Sequence, residues 1–300
     1  MRDKTPATIP DDVLLALPKF LKEWGTKSVC IGGGGEPFCH SRIADLILEF
    51  GRVGMPLGTI TNGLALDTSG VRTAVLDVCR WIGFSVDSAT AETHRLLKHP
   101  SIDDAFKRVC QNIEWLAGHR KEGRRPSITM KFCIHHLNYK EIYQFSKLAK
   151  ELGADDVHFR PVYIPSYSFT DMVSEGARDL ILKSRAELED EHFHVYGIVH
   201  KFDKNWKRAI RFKKCRATPI NSYFLADGTL ALCCDRRDDR DLNLGSYFPF
   251  ENVLQKWGSK EHKQKLAKIN PQQCPRCTQC VVNEIIEKAI IQDDMCIEFV

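Results

Sequence analysis

The segment Cys274-Pro275-Arg276-Cys277-Thr278-Gln279-Cys280 sets a thiol at every third residue. Cys-x2-Cys spacing lets two thiolates from one turn meet the same metal, and distant segments must supply the remaining ligands. Cys215 and the pair Cys233-Cys234 are placed to do so. Between them, Asp227-Gly228 separates two apolar, β-prone runs, Tyr223-Phe224-Leu225 and Thr229-Leu230-Ala231-Leu232. That is a hairpin signal with a type I′ turn, whose second strand carries Cys233 or Cys234 back towards Cys215. Four thiolates hold either a tetrahedral zinc or an iron–sulfur cluster, and spacing alone does not decide between them. Buried free thiols are the plain alternative, but three at regular spacing in a Pro- and Gln-containing stretch argue against it. The candidate ligands are Cys215, Cys233, Cys274, Cys277 and Cys280, with Cys296 as a further one.

A second candidate site lies early, where Gly32-Gly33-Gly34-Gly35-Glu36-Pro37 follows the apolar run Ser28-Val29-Cys30-Ile31. Consecutive glycines let backbone amides approach a ligand closely. No Gly-Lys-Ser/Thr follows and the pattern is not GxGxxG, so neither phosphate-binding fingerprint applies. A carboxylate at Glu36 repels phosphate and favours an ammonium group.

The elements that must position these residues alternate. Helices are expected over 11–24, 41–52, 68–79, 101–119 and from Asn138, as N-cap, to Gly153. Between and after them come strands at 28–32, 58–61, 81–87, 127–134 and 157–161. This is the pattern of parallel βαβ units. Within the strands, Ile82, Phe84 and Val86 oppose Gly83, Ser85 and Asp87. Ile128, Met130, Phe132 and Ile134 oppose Thr129, Lys131 and Cys133, while Val157 and Phe159 oppose His158 and Arg160. A doubly covered parallel sheet is apolar on both faces. One small or polar face repeated over three strands points to a barrel or half-barrel whose interior is a site, with Lys131, Cys133 and His158 as lining candidates. A helix over 174–190 and a strand over 192–199 follow. The seven Lys/Arg of His200–Lys214 are read as the solvated face of a helix with Phe202, Trp206 and Ile210 in one stripe, so no nucleic-acid partner is expected. Arg236–Asp241 is read as an exposed charged loop.

The 300 residues carry 43% hydrophobic and 27% charged side chains and a net charge of +4. Those values exclude collagen and wholesale disorder. No apolar stretch reaches membrane-spanning length and no signal peptide precedes the first helix. The expectation is a cytoplasmic protein, in whose reducing surroundings the 12 cysteines serve metals rather than disulfides.

Taken together, these landmarks resemble the radical S-adenosylmethionine enzymes with a C-terminal SPASM or twitch domain. Gly34-Gly35-Glu36-Pro37 looks like that family's GGEP motif. Thr61-Asn62-Gly63, Ser85-Val86-Asp87, Asn138 and Arg160-Pro161 follow in the family's order. Cys215, twelve residues, Gly228-x4-Cys233, a gap containing Leu244-Gly245 and Trp257, then Cys274-x2-Cys277 match the auxiliary domain. The resemblance implies an α/β fold: a partial (β/α)6 TIM-like barrel over 1–165, a linker with a helix and strand over 166–214, and a small α+β SPASM-like domain over 215–300. It implies that Gly34, Gly35 and Glu36 contact the methionyl amino group of S-adenosylmethionine. Asn62 belongs to the same site. Ser85 and Asp87 would face the carboxylate or ribose, and Arg160 the adenosine. Cys215, Cys233, Cys274 and Cys277 would hold an auxiliary [4Fe-4S] cluster. The implied activity is that of an oxidoreductase generating a 5′-deoxyadenosyl radical for hydrogen abstraction from a peptide, protein or small-molecule substrate, with flavodoxin or ferredoxin as electron donor. The alternative is a non-catalytic iron–sulfur or zinc-binding module. One family feature is not matched: the Cys-x3-Cys-x2-Cys triad that holds the catalytic cluster. Since the chain also opens on a helix, the barrel is expected to lack its first strand and expose an unpaired edge. These 300 residues alone are not expected to cleave S-adenosylmethionine.

Overall fold

The computed structural model describes residues 7–120, 123, 125–162, 171–197, 212–274 and 277–291. The chain divides into two compact units, one of residues 14–203 and one of residues 204–300 together with 1–13. The helix α1 (Asp11–Glu23) comes first. A six-stranded, wholly parallel sheet follows, in the order β1 (Val29–Ile31), β2 (Leu57–Thr61), β3 (Cys79–Ser85), β4 (Ser127–Ile134), β5 (Asp156–Pro161) and β6 (His194–Gly197). Helices α2 (Ile43–Arg52), α3 (Val71–Val78), α4 (Ala91–Lys98), α5 (Ala105–Gly118), α6 (Ile142–Glu151) and α7 (Asp171–Leu188) lie between successive strands.

The strands fall within a few residues of their expected places, with three differences. The segment read as a linker strand pairs in parallel with β5, from Asp156↔His194 to Phe159↔Gly197, and makes a sixth strand where five were counted. Helix α4 has no counterpart in the expected pattern, although Thr90 caps it by accepting a hydrogen bond from Thr93 N at 3.2 Å. Strand β3 ends at Ser85, short of Asp87.

The alternation within the strands has the expected outcome. Ile82, Phe84, Val86, Ile128, Met130, Phe132, Ile134, Val157 and Phe159 are all fully buried. The ring of Phe132 lies 4.8 Å from that of Phe145 on α6 and 5.4 Å from that of Phe159, which fixes α6 over β4 and β5. On the opposite face the register aligns small and polar residues in rows: Gly83, Thr129, Asp156 and His194 in one, Ser85, Lys131, His158 and Tyr196 in the next.

The second unit holds a three-stranded antiparallel sheet of β7 (Tyr223–Phe224), β8 (Thr229–Ala231) and β9 (Asn243–Ser246), with helices α8 (Glu251–Lys256), α9 (Lys260–Ala267) and α10 (Cys280–Ile286). The β7–β8 hairpin forms as expected, with Tyr223 opposite Ala231, but its turn is not type I′. Gly228 alone has positive φ (85°), and Asp227 stays out of the left-handed region. The turn runs from Leu225 to Gly228, closed by Gly228 N–H donating to Leu225 O at 3.0 Å. The Asp227 carboxylate accepts from Thr229 N instead. The stretch 236–241, read as loop, ends in a short 3-10 turn, Arg240–Leu242. The helix read over Phe202, Trp206 and Ile210, and the candidate ligand Cys296, lie outside the described residues.

Candidate functional site

At the C-terminal end of β1 the glycines Gly32–Gly35 are exposed. A Cβ built on Gly33 or Gly35 meets nothing within 4 Å, so the backbone there is open to a ligand. Glu36 closes the run, and its carboxylate is committed within the protein. Oε1 accepts from Thr61 Oγ1 at 2.6 Å and from Phe38 N at 3.2 Å, and Oε2 accepts from Asn62 N at 2.6 Å. Glu36 thus ties the end of β1 to the end of β2. Thr61 Oγ1 also accepts from Gly63 N, and Asn62 Oδ1 from Leu64 N. Gly63 has φ 85° and leaves no room for a side chain, because a Cβ there would stand 2.9 Å from Phe84 Cδ1. The Thr61-Asn62-Gly63 landmark is therefore a turn fastened to the glycine run.

At the ends of β3 and β4, Asp87 adopts φ 63°, a left-handed conformation that costs of order 1 kcal/mol for a residue with a side chain. Its surroundings hold it there. Oδ1 accepts from Cys133 N at 2.6 Å, Oδ2 pairs with Lys98, and its carbonyl accepts from Asn138 Nδ2 at 2.8 Å. Asn138 is fully buried and is not the side-chain cap of a helix. Its Oδ1 accepts from His135 N, and its Nδ2 also donates to Cys133 O, so it knits the loop after β4 to Asp87. Ser85 and Arg160 stand on the polar face as expected, Ser85 half-buried and in register with Lys131, and Arg160 exposed and in register with Cys133.

The sequence reading passed over a network deeper on this face. The indole of Trp81 lies against Gly58 and Gly83: a Cβ on either would come within 2.9 Å of the ring. Its Nε1–H donates to Thr129 Oγ1 at 2.7 Å, and Thr129 Oγ1 donates to Asp156 Oδ2 at 3.1 Å. Lys131 Nζ sits 5.0 Å from the Trp81 ring centroid. Burial first, and then the Arg160 charge, hold the Lys131 ammonium below the usual lysine range. Gly83 was the available signal, since a glycine inside a strand marks close approach of another group.

Burial pushes the Asp156 carboxyl up to about 6. A folded-state value above the unfolded one near 3.8 means that the unfolded chain releases its proton first. The contribution of Asp156 to stability is therefore greatest below pH 4 and declines until about pH 6. Asp156→Asn is expected to raise stability at pH 7 by about 1–2 kcal/mol, after allowance for solvent screening, and to leave it unchanged at pH 4. Urea unfolding at the two pH values measures this, and an equal effect at both would refute it.

In the second unit, one pocket is lined by Cys215, Cys233, Cys274 and Cys277. They come from three segments: the stretch before β7, the end of the hairpin, and the loop leading into α10. Cys280 is the first residue of α10, buried against Phe212 and Cys277, and is not among the pocket-lining residues. Cys234 is likewise not among the pocket-lining residues. Its thiol is held below the ordinary range by hydrogen bonds from Cys233 and Tyr223. Burial, with Cys280 nearby, pushes Cys277 up to about 12. Among the described residues, no three His, Cys, Asp or Glu side chains converge closely enough to hold a single metal ion.

The Radical SAM superfamily profile matches residues 1–174, more than half of the chain. The chain belongs to the radical SAM superfamily. It is 24% identical over 198 residues to the tungsten-containing aldehyde ferredoxin oxidoreductase cofactor-modifying protein of Pyrococcus furiosus, covering 65% of this chain and 54% of that protein. Its fold is similar to that of Streptococcus suis SuiB bound to S-adenosylmethionine, with a TM-score of 0.63, 14% identity, and coverage of 88% of this chain and 62% of SuiB. For SuiB bound to its precursor peptide SuiA the TM-score is 0.64 at 14% identity, over 90% of this chain and 62% of that one. The chain thus spans between half and two thirds of the length of these proteins.

Radical SAM membership implies S-adenosylmethionine and a [4Fe-4S] cluster. The open glycine run at the strand ends fits the first. It does not fit a cluster at that end: the thiols nearest the glycines in the chain are Cys30 on β1 and Cys39, both exposed, where the catalytic cluster takes three. The pocket in the second unit sets four thiols among both apolar side chains, such as Phe212, Leu232 and Leu242, and polar or charged ones, such as Asp235, Arg236 and Gln279, a donor set whose chemistry suits an iron–sulfur group or zinc. Among the described residues, no helix is long and apolar enough to cross a membrane.

Proposed function

We propose that this chain is the S-adenosylmethionine-binding sheet and auxiliary-cluster unit of a radical SAM/SPASM oxidoreductase that modifies a peptide or protein substrate. The observation that carries the reading is the lining of one pocket by Cys215, Cys233, Cys274 and Cys277, the four positions of the auxiliary-domain pattern. A single zinc needs its thiolates within about 2.3 Å of one point. Thiols that share a pocket without converging on a point favour the larger [4Fe-4S] group. Cys280 is assigned to packing beneath Cys277 rather than to the ligand set.

In the sheet unit, the backbone at Gly34 and Gly35 receives the methionyl end of S-adenosylmethionine, with Ser85 and Arg160 turned towards the remainder. Glu36 and Asp87, whose carboxylates are already bonded within the protein, act by holding the loops that carry these groups, and Asn62 is part of the same fastening. When bound with a reduced cluster, S-adenosylmethionine supplies a hydrogen-abstracting radical, and the protein orients and shields it. The resemblance in fold to SuiB, observed with a precursor peptide, supports a peptide as substrate. A flavodoxin or ferredoxin is the electron donor in this reading, and the cytoplasm its location. Since the 300 residues contain no Cys-x3-Cys-x2-Cys, they bind the auxiliary cluster but do not by themselves cleave S-adenosylmethionine.

Anaerobic purification followed by iron, sulfide and zinc analysis tests the reading. About four irons and four sulfides per chain are expected. Stoichiometric zinc without sulfide would instead make the chain a non-catalytic zinc-binding module.

A further inference from the structure

Two polar side chains outside the thiol set fasten the cysteine-bearing segments to one another. Asn283 on α10 is fully buried. Its Oδ1 accepts from Arg216 N and, at 3.0 Å, from Ala217 N, the two amides immediately after Cys215. Its Nδ2 donates to Gln279 O at 2.9 Å, in the turn that follows Cys277. Asp235, next to the Cys233-Cys234 pair, accepts from Thr278 N and from Thr278 Oγ1 at 2.8 Å, immediately after Cys277. Asn283 thus joins the Cys215 segment to the Cys277 turn, and Asp235 joins that turn to the hairpin end. An ion pair between Arg216 and Glu287, at 3.1 Å, reinforces the first connection.

We propose that Asn283 and Asp235 are the positioning residues of the cysteine centre, holding its three segments in register before any inorganic group binds. This rests on the proposed reading of the pocket as an iron–sulfur site. The physical reason is entropic. Thiolates from segments far apart in sequence must otherwise be gathered by the metal itself, so every bond that pre-orders them lowers the cost of binding. Asn283 suits the role because its amide accepts and donates at once, and its burial leaves those bonds no competing water. Asp235 suits it because one carboxylate takes both the amide and the hydroxyl of a single residue.

The experiment uses Asn283→Leu and Asp235→Ala, with Asn283→Asp as the variant that keeps the Oδ1 acceptor. In the metal-free protein, hydrogen exchange at the amides of Arg216 and Ala217 is expected to accelerate at least about 10-fold in Asn283→Leu, and that at Thr278 similarly in Asp235→Ala, while the hairpin amides of β8 keep their protection. In the iron- and sulfide-loaded protein, loss of iron to a chelator is expected to accelerate about 10- to 100-fold. Asn283→Asp should recover most of the Arg216 and Ala217 protection. Unchanged exchange at these amides and unchanged chelator loss would overturn the proposal. If wild-type protein takes up no iron or sulfide, the cluster reading fails, and the exchange measurement still decides whether the two side chains order the segments. Global loss of protection, including β8, would show that they support the whole unit rather than position the cysteines, and would also overturn it.

Discussion

Replacing Cys233 and Cys277 together with alanine is expected to reduce the iron and sulfide content of the anaerobically loaded protein from about four of each per chain to near zero. The two thiols line the pocket from different segments, so the double change leaves only Cys215 and Cys274 of the four. Two remaining thiolates cannot retain a cluster that needs four. The paired control is Cys234→Ala with Cys280→Ala, thiols one and three residues after the first two but outside the pocket lining. That variant should keep most of its iron. Colorimetric iron and sulfide assays, with the visible absorption of the cluster as a second readout, separate the two. Retention of metal in the first variant, or loss confined to the second, would move the ligand set to the other thiols.

Glu36→Ala is the substitution with the largest expected effect on the sheet unit. It removes the acceptors of three hydrogen bonds, from Thr61 Oγ1, Phe38 N and Asn62 N, each made to a carboxylate in half-buried surroundings. Bonds to charged groups contribute about 1.5–3 kcal/mol each, and an amide left without an acceptor adds its own penalty. Thr61 keeps its bond from Gly63 N and the bond from Phe38 N, at 3.2 Å, is the longest of the three, so a net loss of about 3 kcal/mol is expected. The urea midpoint should fall accordingly. Binding of S-adenosylmethionine should weaken by more than about 10-fold, because the glycine run is no longer fastened to the end of β2. Glu36→Gln should fall between the two, since its amide group faces an N–H donor on one side and keeps an acceptor on the other. A midpoint within experimental error of wild type would show that the strand ends are held by other means.

The sheet was largely visible in the residue pattern because its physics is repetitive. Ile82, Phe84 and Val86, and the matching sets on β4 and β5, alternate with small or polar partners, and side-chain alternation is a direct consequence of strand geometry. The shared placement of the pocket-lining thiols was visible for a similar reason, since Cys-x2-Cys sets two thiols on one turn and the hairpin returns a third. What escaped was decided by bonds between distant residues. Asp87 reads as a strand residue until Cys133 N, Lys98 and Asn138 hold it in a left-handed turn. Asn138 reads as a helix cap, a local role for which asparagine is a frequent choice, and it does stand at the N-cap position, yet its side chain bonds backward, to the carbonyls of Asp87 and Cys133. Helix α4 went unread because its hydrophobic face is thin: only His94 on it is buried. The sixth strand, β6, is four residues long with Tyr196 exposed, and only its pairing with β5 distinguishes it from a linker. Asp235 and Asn283 carry no local signature at all, because their partners lie far along the chain.

The fastening of Arg216 and Ala217 by a residue of the last described helix also sets a timetable for maturation. As the polypeptide emerges from the ribosome, Cys215 and Cys233 are exposed to solvent well before Asn283 has been synthesised. The receptacle closes only when α10 has left the exit tunnel and folded back. In the proposed iron–sulfur reading, inorganic iron and sulfide would then meet a finished receiver, after translation of this unit, rather than a nascent strand.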